Sequence, residues 1–179
     1  MKFALVGSRE TPDEPYKTIC KYLAKAGHSM TSGSAPLGAD MLAEQAFYEE
    51  GNTNCEIFIP WWKFGEGHPL RQCHIVPTTN TWNERVAIIK EIHPAFNRLT
   101  QGALKLHCRN VNQVLGANLD EPVDAVICWT KHGSITGGTA TAIKVALKYG
   151  IPVFNIALEN CIVELRNYIL NRPYTSSYL

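Results

Sequence analysis

Long apolar runs are missing from this sequence of 179 residues. No stretch reaches the roughly eighteen apolar residues that a helix needs to cross a bilayer, so we expect no membrane association. The first residues, MKFALVGSRE, contain one lysine and a short apolar run but no small-residue cleavage site. We interpret them as a strand and not as a signal peptide. These absences predict a cytoplasmic protein.

Closely spaced cysteines and an excess of one charge are missing too. The 6 cysteines are scattered and no CxxC motif occurs, which favours reduced thiols and supplies no metal-ligand set. We therefore expect neither a metal nor another cofactor. The 17 basic and 16 acidic residues give a net charge of +1. Proteins that bind many nucleic-acid phosphates usually carry a clear basic excess, so any such surface must be local here.

The common nucleotide-binding motifs are absent as well. The first glycine turn, GSRETP, lacks the spacing G-x-G-x-x-G, and GxxxxGK[ST] does not occur. The sequence therefore contains neither the dinucleotide fingerprint nor a P-loop. No arrangement typical of Ser-His-Asp or Cys-His catalysis stands out either.

Apolar strands alternate with helical segments through most of the chain. KFALVG, CEIFIP and VDAVICW have the composition of short buried strands. Helical spacing is found over residues 12–26, 41–50, 84–91, 95–106, 139–149 and 161–170. This alternation predicts a Rossmann-like three-layer α/β/α fold with a mostly parallel sheet. We expect a single domain over residues 1–179, with a loose tail from Pro173 to Leu179.

Residues 61–83 interrupt the alternation. This segment holds three of the 4 tryptophans, Trp61, Trp62 and Trp82, and has no steady period. We interpret it as an insertion on the ligand side of the domain. Its tryptophans could stack on a nucleobase, or they could pack the insertion itself.

Three strand-to-helix turns, VGSRE, TSGSAPLGAD and TKHGSITGGTAT, are rich in glycine, serine and threonine. Such turns expose backbone N–H groups at a helix N-terminus, where the helix dipole favours an anion. Arg9 adds a side chain that suits phosphate. In a parallel sheet, ligands bind at the carboxyl ends of the strands where the strand order reverses. The three turns therefore predict a site for a phosphate-bearing ligand.

These turns, with RNVNQVLG and VDAVICWTKHGSITGGTATAIKVALKYGIPVFNI, resemble the Rossmann-like domain of the DNA-processing protein A family (DprA/Smf). More broadly they resemble the SLOG superfamily of nucleotide-binding domains. The resemblance extends from Lys2 to about Ala157, apart from the insertion. The chain is similar also to stand-alone DprA-like proteins that bacteriophages commonly encode. This similarity implies that the protein is located in the host cytoplasm and assembles as a homo-oligomer.

The resemblance implies a ligand-binding set from four stretches of the chain. Its members are Gly7, Ser8, Arg9, Ser32, Gly33, Ser34, Gly38, Asp40, Arg109, Asn110, Gly133, Ser134, Thr136, Gly137, Gly138, Thr139 and Thr141. In the family pattern Arg109 and Asn110 stand at the start of a helix, although Arg109 could instead be a surface or interface residue. Asp40 has a second interpretation, as the cap of a helix beginning at Met41.

SLOG domains also include the cytokinin-activating phosphoribohydrolases, whose signature resembles PGGxGTxxE. Aligning GGTATAIK with it places Lys144 where that family has its catalytic glutamate. A carboxylate stabilises the oxocarbenium-like sugar of glycosidic cleavage, whereas a lysine would repel it. The resemblance therefore favours binding over catalysis, with Asp40, Glu44 and Glu10 as the nearby acids that could substitute.

Three functions follow as hypotheses. The first is non-catalytic binding of a nucleotide-derived, phosphate-bearing small molecule, with sequestration of a nucleotide signal as a plausible role. The alternative is binding of single-stranded DNA by a recombination mediator like DprA. The second alternative is a nucleotide phosphoribohydrolase or N-glycosidase.

Overall fold

The computed structural model describes residues 1–171, so the predicted loose tail lies outside the described residues. In chain order the strands and α-helices are β1 (Lys2–Gly7), α1 (Asp13–Lys25), β2 (Ser29–Ser32), α2 (Ala39–Glu49), β3 (Cys55–Phe58), β4 (His74–Ile75), α3 (Trp82–Ile92), α4 (Gln101–Leu115), β5 (Ala125–Trp129), α5 (Thr139–Lys148), β6 (Val153–Asn155) and α6 (Cys161–Asn171).

The strands form one sheet in the order β4-β3-β2-β1-β5-β6, and every pairing in it is parallel. In the centre, Leu5 of β1 pairs with Ile127 of β5, and Ala4 pairs with Thr31 of β2. The chain leaves β1 toward one edge and returns to its other side at β5. The strand order therefore reverses between β1 and β5, and their carboxyl ends flank the position where such sheets bind ligands.

Alternate residues of the strands pack against two separate layers of helices. Phe3 and Leu5 of β1 join one buried cluster with side chains of α1, α2 and α6. Ala4 and Val6 face the other side and join a second cluster with α3, α4 and α5. This arrangement follows from the two-residue repeat of a strand buried on both faces. The predicted Rossmann-like three-layer α/β/α fold is confirmed, and the sheet is wholly parallel instead of mostly parallel.

The segment 61–83 is partly built into the sheet. A short 3-10 turn at Arg71–Cys73 leads into β4, whose His74 and Ile75 pair with Ile57 and Phe58 of β3. A strand of two residues is too short to show a period of two, so the sequence pattern could not reveal it. The insertion therefore forms the edge of the sheet as well as a loop above it.

Helix α4 begins later and ends later than the sequence predicts. Phe96–Arg98 form a separate 3-10 turn, and the Thr100 side chain caps α4 by accepting a hydrogen bond from the Ala103 amide at 3.3 Å. The RN pair, Arg109 and Asn110, consequently lies in the middle of the helix. The expectation that it stands at a helix start is wrong.

None of the helices within residues 1–171 has the length and apolarity needed to cross a membrane.

A substitution at Leu5 tests whether β1 lies in the centre of the sheet with its side chains buried. The Leu5→Ala substitution should lower the free energy of unfolding by about 2–5 kcal/mol, because it leaves a cavity where a fully buried side chain stood. Urea denaturation measures the change. The matched control is Leu147→Ala on α5, where the leucine is 58% exposed and the expected loss is small. Equal losses in the two variants would contradict the described core.

Candidate functional site

A cleft of about 670 Å³ opens at the carboxyl ends of β1 and β5. Its walls come from the turn after β1, the turn between β5 and α5, and the middle of α4. It contains eleven of the seventeen predicted site residues, namely Gly7, Ser8, Arg9, Asp40, Arg109, Asn110, Ser134, Thr136, Gly137, Gly138 and Thr139. We call this space the switch-point cleft.

The turn after β1 packs tightly against the neighbouring backbone. A Cβ atom on Gly7 would lie 2.7 Å from the Ala39 Cβ and 2.9 Å from the Trp129 carbonyl oxygen, so only glycine fits. The Ser8 amide donates a hydrogen bond to that same Trp129 oxygen at 3.0 Å. This bond joins the ends of β1 and β5 and fixes the floor of the cleft. Arg9 follows on the exposed rim.

The turn before α5 presents unpaired backbone donors. Gly137 has a positive φ of 71°, and Gly138 precedes the first residue of α5. The amides of Thr136, Gly137 and Gly138 donate to no acceptor within residues 1–171. The Asn110 side chain donates to the Gly138 carbonyl at 2.9 Å and so holds the turn in place. Exposed N–H groups at the N-terminus of a helix form a site suited to an anion.

A buried ion pair joins α4 to α2 at the inner end of the cleft. The Arg109 Nη1 atom lies 3.3 Å from an Asp40 carboxylate oxygen, and both side chains are more than nine-tenths buried. Burial raises the pKa of Asp40, although Arg109 acts in the opposite direction. The Gln113 amide oxygen, turned toward Arg109, accepts from Nη1 at 3.1 Å and from the Gly33 amide at 3.0 Å. Within residues 1–171, only Nη1 of the three guanidinium nitrogens has a partner.

The turn after β2 is closed by its own side chains. Ser32 and Ser34 donate hydrogen bonds from their hydroxyl groups to the fully buried Glu44 carboxylate at 2.9 and 3.3 Å, and the Ser34 amide donates to it at 2.8 Å. A Cβ on Gly33 would stand 1.1 Å from Arg109 Nη1. Ser32, Gly33 and Ser34 therefore enclose a carboxylate and admit the guanidinium, and none of the three lines the cleft.

Six predicted site residues do not line the cleft. They are Ser32, Gly33, Ser34, Gly38, Gly133 and Thr141. Gly38 instead lets α2 approach the turn after β1, since a Cβ there would lie 2.2 Å from the Ser8 carbonyl oxygen. The Thr141 hydroxyl lies 2.7 Å from Nδ1 of His107, and His107 does line the cleft.

Asp40 is not the cap of α2. The helix begins at Ala39 after Gly38, which makes no side-chain cap hydrogen bond. The Asp40 carboxylate accepts from the Ala35 amide at 3.2 Å and from Arg109. Asp40 lies in the first turn of α2, and its carboxylate points toward the loop before the helix and toward α4.

The insertion covers the inner part of the cleft with Phe64, whose ring centroid lies 5.9 Å from the Arg109 guanidinium carbon. Two histidines of the insertion contact α2 and the turn after β2. His68 Nδ1 lies 2.8 Å from the Glu44 carboxylate, and His74 Nε2 lies 3.1 Å from the Ser34 hydroxyl.

The tryptophans of the insertion do not line the switch-point cleft. The Trp61 ring packs edge-on against Phe64, with the centroids 5.4 Å apart, and Trp62 is 67% exposed. Trp82 lines a different cavity. Within the insertion, Phe64 is thus the aromatic residue that lines the switch-point cleft, and stacking of a base on a tryptophan stays a prediction.

Sequence reasoning also missed Gln113 and Phe64. Gln113 lies one helical turn after Arg109, and the four-residue spacing on a predicted helix was the available signal. Phe64 carried no such signal, because it lies in a segment without a period. Lys131 and His132, which precede the last glycine turn, also line the cleft, and Lys131 contributes positive charge to it.

Lys144 does not line the switch-point cleft. Its ammonium group donates to the Ile92 carbonyl at the end of α3, 3.2 Å away. Of the acids considered as substitutes for a catalytic glutamate, Glu44 is enclosed by the turn after β2, whereas Asp40 and Glu10 line the cleft. No group of three or more His, Cys, Asp or Glu residues within residues 1–171 is arranged to hold a metal ion.

Neither a family model nor a curated protein sequence matches the chain. A solved structure of DNA processing protein A from Helicobacter pylori matches it over 96% of this chain and 74% of that chain, with a TM-score of 0.55 and 18% identity. That structure was described for its single-stranded DNA binding mode. At this identity the likeness shows a DprA-like Rossmann fold and nothing finer.

The contact between His68 and Glu44 predicts a pH effect on stability. The adjacent Glu44 carboxylate raises the pKa of His68 above its ordinary value of 6.5, against the effect of burial. A histidine with a raised pKa stabilises the fold below its unfolded-state pKa, and this stabilisation is lost as the pH rises through the folded-state pKa. We expect His68→Gln to be less stable than the wild type in urea at about pH 5.5, with a difference that shrinks toward about pH 8.5.

His132→Gln, on an exposed turn away from Glu44, is the matched control for this measurement. Burial lowers the pKa of the neighbouring His74, but His74 is present in both proteins that are compared. A His68→Gln deficit that grows with rising pH would contradict the assignment.

Proposed function

We propose that the switch-point cleft binds the sugar-phosphate backbone of single-stranded DNA and leaves it intact. The observation that carries the proposal is that the amides of Thr136, Gly137 and Gly138, which have no acceptor in the described part of the chain, line one cleft with Arg109 and the rim residue Arg9. Backbone donors and guanidinium groups around one space suit the oxygens of a phosphodiester. They carry no information about base sequence.

The charges of the cleft support a phosphate ligand despite the net charge of +1. Lys131 pairs with Glu10 at 3.2 Å, but their side chains are 62% and 65% exposed. An exposed pair of this kind is worth little, so a phosphate can replace Glu10 as the partner of Lys131. The partially unpaired Arg109 supplies a second cation at the inner end. Three basic residues, Arg9, Arg109 and Lys131, thus line the cleft beside the two acids Glu10 and Asp40.

The fold supports single-stranded DNA as the ligand. The similar protein from Helicobacter pylori is one whose structure concerns single-stranded DNA binding. The rim formed by Arg9, Lys131, Thr136 and Gly137 is exposed, so a strand entering the cleft could continue past it. The role we propose is that of a DprA-like protein that protects or presents a single strand.

A free nucleotide is the second candidate ligand, and the size of the cleft favours it. The volume of about 670 Å³ lies within the range of sites for small molecules. The near-neutral net charge suits a small ligand better than a long polyanion. In that case the protein would hold a nucleotide-derived molecule, and sequestration of a nucleotide signal would be its role.

A substitution at Arg9 distinguishes a defined phosphate contact in the cleft from general electrostatic attraction of DNA. Arg9→Ala should weaken binding of a fluorescent thymidine oligonucleotide and reduce the slope of log affinity against log salt by about 0.7, the share of one phosphate contact on a single strand. Fluorescence anisotropy over a salt series gives both quantities. Arg166→Ala, an exposed arginine on α6, is the matched control. A salt slope unchanged by Arg9→Ala would contradict the proposed contact.

Gly138 tests the backbone donors without disturbing the fold. Gly138 has helical angles, and an added Cβ would meet no atom within 4 Å, so Gly138→Ala should be stable. The new methyl group should hold a phosphate away from the turn and weaken binding at least about tenfold, which is roughly the loss of one charge-assisted hydrogen bond.

The matched control is Gly102→Ala on α4, where an added Cβ also meets nothing within 4 Å. Undiminished binding by Gly138→Ala would contradict the site. The same samples, incubated with thymidine monophosphate, report on catalysis. If the wild type releases free base and Asp40→Asn does not, the function would be hydrolysis and not binding alone.

A further inference from the structure

A second cavity of about 190 Å³ lies on the other side of Arg109. Its walls come from the end of β3, the last part of the insertion and one face of α4. Arg109 lines both this space and the switch-point cleft, so its side chain borders the two. We call the second space the adjacent cavity.

We propose that the adjacent cavity receives the base of a second nucleotide, linked to the one in the switch-point cleft. This inference rests on the proposed function and deepens it, since the preferred ligand becomes two or more connected nucleotides. The volume corresponds to about six water molecules at roughly 30 Å³ each, which suits one planar ring system and excludes a long chain.

The walls of the adjacent cavity suit a flat apolar group. Pro60, Val76, Pro77 and Trp82 line it with apolar side chains, and the polar residues Thr78 and Thr79 line it as well. Aromatic and apolar walls accept any base, because every base has a π-face.

Trp82 is held in place before any ligand arrives. The Arg85 guanidinium carbon lies 5.6 Å from the Trp82 ring centroid. Arg85 is 4% exposed and donates to the Thr78 carbonyl at 2.5 Å and to the Asn112 side chain at 3.0 Å. A wall fixed in this way loses little side-chain entropy when a ligand binds.

Arg109 supplies the link between the two spaces. Its Nε atom is buried without an acceptor, and only Nη1 has a partner within residues 1–171. Nε is too enclosed for a ligand to reach, but Nη2 is not among the enclosed atoms and could donate a hydrogen bond to a phosphodiester oxygen. Lys105 lies one helical turn before Arg109 and also lines the adjacent cavity. Both cations therefore lie along the path of a backbone that connects the two spaces.

The test compares thymidine monophosphate with a thymidine dinucleotide that carries the same terminal phosphate. Calorimetry should show that the wild type binds the dinucleotide about tenfold or more tightly, since each stacked base contributes about that factor. Thr79→Trp fills the adjacent cavity and should reduce the dinucleotide affinity to that of the monophosphate. Lys105→Ala should weaken the dinucleotide alone. Asn80→Trp, on the neighbouring exposed residue outside the cavity, is the matched control.

The outcomes separate this inference from the proposed function. Equal affinity of the wild type for the two ligands overturns the second site and leaves the switch-point cleft intact. Full dinucleotide affinity in Thr79→Trp and Lys105→Ala has the same meaning. Failure of the wild type to bind either ligand overturns the proposed function and this inference together.

Discussion

The buried guanidinium of Arg109 is the interaction on which the arrangement of the site depends. It reaches Asp40 through the space left by Gly33, where any Cβ would collide with it. Gln113 completes the set of acceptors on the inner side. Because a buried charge is costly unless it is paired, the turn after β2, the start of α2 and the middle of α4 must stay together. The same constraint places the Arg109 side chain where it borders two open spaces.

The fold was predictable because its signals are local and repeated. Short apolar strands between helices define a parallel sheet, and the chain shows this pattern at β1, β3 and β5. The two-residue strand β4 was not predictable, since its pairing depends on neighbours that are distant in sequence. The boundary of α4 was misjudged because the apolar spacing begins in a separate 3-10 turn, at Phe96, before the cap at Thr100.

The candidate site was predictable only in part, for a physical reason that differs between the turns. Glycine and serine are needed both where a ligand approaches the backbone and where side chains approach each other. The turn before α5 is open, whereas the turn after β2 has the same composition but encloses Glu44. Composition does not distinguish these cases, because the partner that fills the second turn comes from a residue ten positions later. Whether the residues that line the cleft bind a ligand remains a prediction.

The attachment of the insertion has a consequence for how such a protein can diversify. The segment leaves β3 and enters α3, and its ties to the domain include the edge strand β4 and the contacts of His68 with Glu44 and His74 with Ser34. The backbone amides and cations come mainly from elsewhere in the chain. Replacement of this one segment can therefore change the shape of the ligand that the protein accepts. The backbone amides and cations that would bind the acidic groups of the ligand stay the same.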